Sequence, residues 1–191
     1  MKIYKLGEEV LRKKAVPVKE SEITDSLRET FNEMFETMLA ADGVGLAAPQ
    51  IGDSRRYFVI ISDDDVRRVF VNPQIIATSN ELCDYEEGCL SLPGFNEKIK
   101  RPAKVTVQAL NEFGKPFTLN ADGLLARIIQ HEYDHLDGIV YIDRGDPNFA
   151  AKVTDQMKKR QERAIKKEAE KARKAASIAA KLAAKQEKKS R

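Results

Sequence analysis

This chain has only two histidines, and they stand four residues apart in His131-Glu-Tyr-Asp-His135. On a helix that spacing brings two imidazoles to one face, a turn apart, where both can reach a single ion. Glu132 lies one residue round from His131, so its carboxylate can take a proton from water beside that ion. His-Glu-x-x-His is the arrangement of a metal-dependent hydrolase. A metal site with an open position needs three protein ligands, and the histidines supply two. Cys89, in the turn-prone run Tyr85-Glu-Glu-Gly-Cys-Leu-Ser-Leu-Pro-Gly94, is the candidate third. Gln50 closes Gly43-Val-Gly-Leu-Ala-Ala-Pro-Gln50 and offers a neutral amide that can donate to a developing oxyanion. Each signal has an ordinary counterpart when taken singly: a satisfied histidine pair, a buried thiol, a helix-to-strand turn. Cys83 is assigned that ordinary reading, a small buried hydrophobe.

The element that must carry the histidines is a short helix over residues 122–138, with Asp122 as N-cap and Gly138 just past its C-terminus. Leu124, Ile128, His131 and His135 fall on one face of it. An amphipathic helix is expected over residues 22–41, capped by Thr24 or Asp25, with its Met and Phe stripe facing a sheet. Tyr57-Phe-Val-Ile-Ile-Ser62 and Val69-Phe-Val71 read as strands, the second limited by Pro73. Lys104–Leu110 and Phe117–Leu119 read as a strand pair that feeds the histidine helix. The fold class is therefore α+β, with antiparallel sheets packed around the central metal-binding helix.

Length and charge divide the 191 residues. Residues 151–191 hold 15 Lys/Arg and 5 Asp/Glu, whereas residues 1–150 hold 18 and 25. An acidic body of net −7 thus carries a tail of net +10. From Asn148 onward the chain lacks proline and glycine and is rich in Ala, Lys, Glu and Gln. With few large apolar residues (Met157, Ile165, Ile178, Leu182), it is expected to form a long exposed helix, fraying toward Arg191. A domain at 1–147 and a helical extension at 148–191 follow. Fifteen basic groups on a thin rod suit a polyanionic partner. No apolar run is long enough to span a membrane, and no signal or transit peptide is legible, so the cytoplasm is expected.

The three segments Gly43–Gln50, Glu87-Gly-Cys-Leu-Ser91 and His131-Glu-Tyr-Asp-His-Leu-Asp-Gly138, in that order, closely resemble the three signature motifs of peptide deformylases. The resemblance covers residues 1–147 and leaves most of the basic tail unexplained. It implies removal of the formyl group from N-formylmethionyl nascent peptides of bacterial type, by a metal-bound hydroxide with Glu132 as general base and acid. Cys89, His131 and His135 would be the ligands, and Gln50 with the Leu90 backbone amide would hold the oxyanion. Gly45 would pair with the substrate backbone, Glu87 and Gly88 would lie beside it, and Arg101 is a candidate ion-pair partner for Glu87. Val44, Leu124 and Ile128 would line the methionine slot. Fe²⁺ is expected in the cell, with Zn²⁺, Ni²⁺ or Co²⁺ also compatible with one sulfur and two imidazoles. The ribosome is the expected partner of the tail.

Two rival readings follow from parts of the pattern. A zinc endopeptidase would want a further downstream ligand and leaves Glu87–Ser91 without a use. A non-catalytic RNA- or ribosome-binding module with a structural metal explains the tail but leaves Glu132 and Gln50 idle. Structural sites also tend to have four protein ligands, and three are visible.

Overall fold

Tyr57-Phe-Val-Ile-Ile61 is apolar without alternation, and the structure gives the reason: both faces of its strand are covered. The computed structural model describes residues 1–189, and side chains as far as residue 176. Helix α1 (Asp25–Ala40) lies on one face of a five-stranded antiparallel sheet and helix α2 (Gly123–Leu136) on the other. Strands β1 (Gly45–Ala47), β2 (Tyr57–Ile61), β3 (Arg67–Thr78), β6 (Lys104–Leu110) and β7 (Pro116–Asp122) form that sheet in the order β1-β2-β3-β6-β7. Along β2, Tyr57 and Val59 join the cluster under α1, while Phe58 and Ile60 join the cluster under α2. Period-two alternation thus sorts one apolar run into two cores.

The helix caps fall where the residue types place them. Thr24 Oγ1 accepts from Leu27 N–H at the start of α1 (3.4 Å). Gly138 takes a left-handed φ of 74° just after α2, and a Cβ there would press on the Arg12 carbonyl. Asp122 precedes α2 in extended backbone but makes no side-chain cap hydrogen bond.

Four expectations need correction. First, β3 does not stop near Val71. It runs through Pro73 by a register shift between Val71 and Gln74, where Asn72 adopts φ 51°. Asn72 is held there by a pair of hydrogen bonds with Val18 (2.8 Å each). Second, the residues before Cys89 are not turn but strand: β4 (Leu82–Gly88) pairs with β5 (Asn96–Pro102) as a separate two-stranded sheet. Third, Cys83 lies on β4 and is exposed rather than buried. Fourth, the tail helix α3 (Pro147–Lys189) is not exposed from its start. Val153 and Met157 are buried with Leu6, Leu92 and Tyr141, and Phe149 and Ala150 pack against them. Beyond them exposure sets in, with Ile165 63% exposed. At about 1.5 Å per residue, α3 is roughly 65 Å long. The Ile178 and Leu182 side chains and the end at Arg191 lie outside the described residues.

Candidate active site

The three donor side chains come from two elements. Buried Ile128 and Leu136 fasten α2 to the sheet, and this turns His131, Glu132 and His135 toward the loop that follows β4. Cys89 begins that loop. The ligand atoms of Cys89, His131 and His135 all lie within 4.8 Å of one another, with Cys89 Sγ 3.3 Å from His135 Nε2. His131 Nδ1 is bonded to Glu87 Oε2 (2.8 Å), which leaves its other ring nitrogen for an ion. A soft thiolate with two imidazoles is the donor set of zinc, iron, cobalt or nickel.

Charge in the pocket supports the same use. Burial, and then the neighbouring His131, hold His135 well below the ordinary imidazole range, so it is neutral and free to ligate. Burial opposes charge on His131 too, but hydrogen bonds with Cys89 and Glu87 hold it well above that range. A bound cation would displace that proton. Glu132 is pushed up to about 7, chiefly by burial. Its Oε2 is buried without a hydrogen-bond partner among the described residues, an orphan acceptor beside three convergent donors.

Gly45 on β1 explains how Glu132 fits. A Cβ at this position would overlap the Glu132 carboxylate, so the glycine is there for close approach. Gly45→Ala is expected to displace that carboxylate and lower kcat at least about tenfold while the far-ultraviolet spectrum stays unchanged. A kcat within twofold of the unsubstituted protein would contradict this geometry.

Gln50 is oriented from both ends. Its Oε1 accepts from Ala47 N–H (2.7 Å), so Nε2 points to Ser91 Oγ (3.2 Å) and Cys89 Sγ (3.5 Å). A cavity of about 580 Å³ opens over these groups. Val44, Gly45, Gly88 and Leu90 line it from the sheet and loop, and Leu124, Ile128 and Glu132 line it from α2. The residues singled out in the sequence therefore converge. Glu87 reaches the same cavity, but its carboxylate is taken up behind His131 rather than facing a substrate.

A family model described as polypeptide deformylase matches residues 1–151. The chain belongs to the polypeptide deformylase family. A peptide deformylase of Treponema pallidum is 51% identical over 146 residues, 76% of this chain and 88% of that protein. One from Fusobacterium nucleatum is 46% identical over 172 residues, 88% of this chain and 98% of its own length. Among solved structures, a peptide deformylase from Synechococcus elongatus in complex with actinonin matches with a TM-score of 0.75 and 43% identity, covering 81% of this chain and 84% of that one.

Behind Cys89, His131 and His135 lies a buried ion network that sequence reasoning met only in part. Arg101 makes two bonds to Glu87 (2.7 and 2.9 Å), the pairing proposed from sequence, and a third to Asp134 (2.6 Å). Arg127 adds a bond to Glu87 (2.8 Å), and Arg144 a fork to Asp134 (2.7 and 2.5 Å). Asp134, Arg127 and Arg144 were missed. Arg127 interrupts the apolar run Leu124-Leu-Ala-Arg-Ile-Ile129, a signal for a buried charge that sequence reasoning could have used. The Tyr141 ring also stacks on His131, with centroids 5.9 Å apart.

Proposed function

We propose that Cys89, His131 and His135 hold one divalent ion and that Glu132, Gln50 and the Leu90 N–H act on the formyl group of an N-formylmethionyl peptide. The overall reaction is that of the family, hydrolysis to formate and a methionyl peptide. One observation carries the assignment: a buried carboxylate at about 7, with an oxygen that has no partner among the described residues, stands beside three convergent side chains able to ligate an ion. A divalent ion there would polarise the formyl oxygen and make water a stronger nucleophile at neutral pH.

The side chains supply the rest. Glu132 takes the proton of the attacking water and delivers it to the leaving amine, a task suited to a group near neutrality. Gln50 Nε2, fixed by Ala47, and the Leu90 N–H donate to the oxygen as charge develops on it. Strand β1 is an outer strand, bonded to β2 on one side, so its other edge can take the peptide backbone as an added strand. Val44, Leu124 and Ile128 form the methionine slot. Ile128→Ala is expected to narrow the preference for formyl-Met over formyl-Ala by about tenfold in kcat/KM. An unchanged ratio would remove Ile128 from the slot.

We further assign ferrous iron as the ion in the cell, the cytoplasm as the compartment and the ribosome as the partner of α3. The first measurement is formate release from a formyl-Met tripeptide by protein loaded anaerobically with Fe²⁺. Release that fails on the acetylated analogue supports this reading, and metal bound without release overturns it. The tail needs a cut that spares the core. Deletion from residue 151 would remove Val153 and Met157, whereas deletion of residues 164–191 leaves both in place. That shorter protein is expected to turn over the tripeptide within twofold of full length and to lose ribosome co-sedimentation at physiological salt. Undiminished co-sedimentation would overturn the ribosome assignment.

A further inference from the structure

The N-terminal segment crosses the back of the site and grips both of its non-helical walls. Tyr4 N–H donates to the Gln50 carbonyl (2.7 Å) and Leu6 N–H to the Ser91 carbonyl (3.0 Å). Between them the Lys5 side chain turns inward, lines the cavity and donates from Nζ to the Leu90 carbonyl (2.7 Å). Two backbone bonds already clamp the walls, so the fold does not need an ammonium to join them. The charge is half-buried, a cost to folding, and Lys5 makes no ion pair among the described residues.

What the ammonium faces is a short relay. The carbonyl it holds belongs to the Leu90–Ser91 peptide, and the N–H at the other end of that peptide, from Ser91, donates to Cys89 Sγ (3.4 Å). A cation on a carbonyl oxygen polarises the whole amide and makes its N–H a stronger donor. The same bond fixes the plane of Leu90, whose own N–H lies one peptide earlier in the loop.

We propose that Lys5 is a positioning residue for catalysis: it pins and polarises the Leu90–Ser91 peptide, tightening the Ser91 N–H bond to the Cys89 sulfur and fixing the Leu90 N–H toward the cavity. A sulfur that shares its electrons with a stronger donor would give less to an ion held there and leave it a stronger Lewis acid toward the formyl oxygen. This inference rests on Cys89 being a ligand, as read above.

The test uses full-length protein loaded with Co²⁺ and compares Lys5→Met, Lys5→Gln and Lys5→Arg. Lys5→Met is expected to lower kcat roughly tenfold with KM within twofold, and to move the sulfur-to-cobalt absorption to longer wavelength. Lys5→Arg should restore both. An unmoved absorption band, or a change in KM alone confined to peptides with a free carboxylate, overturns the proposal in favour of scaffolding or direct substrate contact. If Lys5→Met does not fold, Lys5→Gln decides: it can still donate to Leu90 but carries no charge, so intermediate kcat and band position are expected. Unsubstituted values in Lys5→Gln overturn the relay. Failure of the underlying readings is distinct. Unsubstituted protein that binds cobalt without any sulfur-to-cobalt band would show that Cys89 is no ligand. A band that moves with Lys5 in protein that releases no formate would overturn the deformylase reading alone.

Discussion

Glu132→Gln is expected to lower formate release by roughly 10²- to 10⁴-fold, the span of a lost general base, while the protein still binds its ion. The same substitution is expected to stabilise the metal-free protein above pH 7. Glutamate at this position is 4% exposed and sits at about 7 in the fold, against an ordinary 4.5. Burial is the largest cause; the His131 and Arg101 charges pull the value back down, and Glu87 and Asp134 push it up. Between pH 4.5 and 7 the folded state therefore holds a proton that the unfolded state has lost. The Glu132 contribution to stability falls as pH rises through that window and is flat on either side, a cost of about 3 kcal/mol at pH 8. Glutamine carries no such proton, so the slope between 4.5 and 7 should flatten in urea titrations of Glu132→Gln. With a divalent ion bound, the added positive charge lowers the Glu132 titration. The acid limb of kcat/KM should then fall between the ordinary carboxylate range and 7. Formate release within tenfold of the unsubstituted enzyme would sink the general-base assignment. The cost in stability and the gain in rate come from the same burial.

What was legible in the sequence was local. The caps and periodicity of α1 and α2 lie within their own segments, as do the alternation of β6 and the chemistry of His131, Glu132 and His135. The β4–β5 hairpin was not legible because its apolar content is low. Asp84, Tyr85, Glu86, Lys98 and Lys100 are all exposed, and only Glu87, Ile99 and Arg101 turn inward to the site. Two of those three inward residues are charged, the reverse of the pattern that marks a buried strand face. The Glu87 partner of Arg127 and the Arg101 partner of Asp134 lie 40 and 33 positions away, separations that no spacing rule spans. Lys5 was hidden for the same reason, since its acceptor is 85 residues distant. The start of α3 was misread because Val153 and Met157 look sparse in a Lys/Ala-rich run, yet two well-placed residues are enough to dock a helix end.

Arg101→Met is expected to destabilise the metal-free protein by about 3–5 kcal/mol, because it strips one cation from a network that water barely reaches. The Arg101 side chain is 3% exposed, as is that of Glu87, and Asp134 is 6% exposed. With Arg101 gone, Glu87 keeps among the described residues only Arg127 and His131, and Asp134 only Arg144. Arg144→Met is the control: Arg144 makes a two-toothed contact with the same Asp134, but it is 44% exposed. Its loss should cost about 1 kcal/mol or less. The pH dependence should move as well. Burial alone would raise Glu87, yet hydrogen bonds from His131 and Arg101 hold it well below the ordinary carboxylate range. A carboxylate so held adds stability above its unfolded value near 4.5, and that stability is lost as pH falls toward the folded value. Removing Arg101 raises the folded value, so the acid-unfolding midpoint should shift upward. His131 would lose its fixed orientation along with Glu87, and zinc affinity measured by chelator competition should drop about 10- to 100-fold. Equal losses in Arg101→Met and Arg144→Met would mean that the number of ion pairs, rather than their exclusion from water, sets the strength of this network. A larger loss at Arg101, together with the fall in zinc affinity, would show that exclusion from water gives the hairpin's inward charges their hold on the histidine helix.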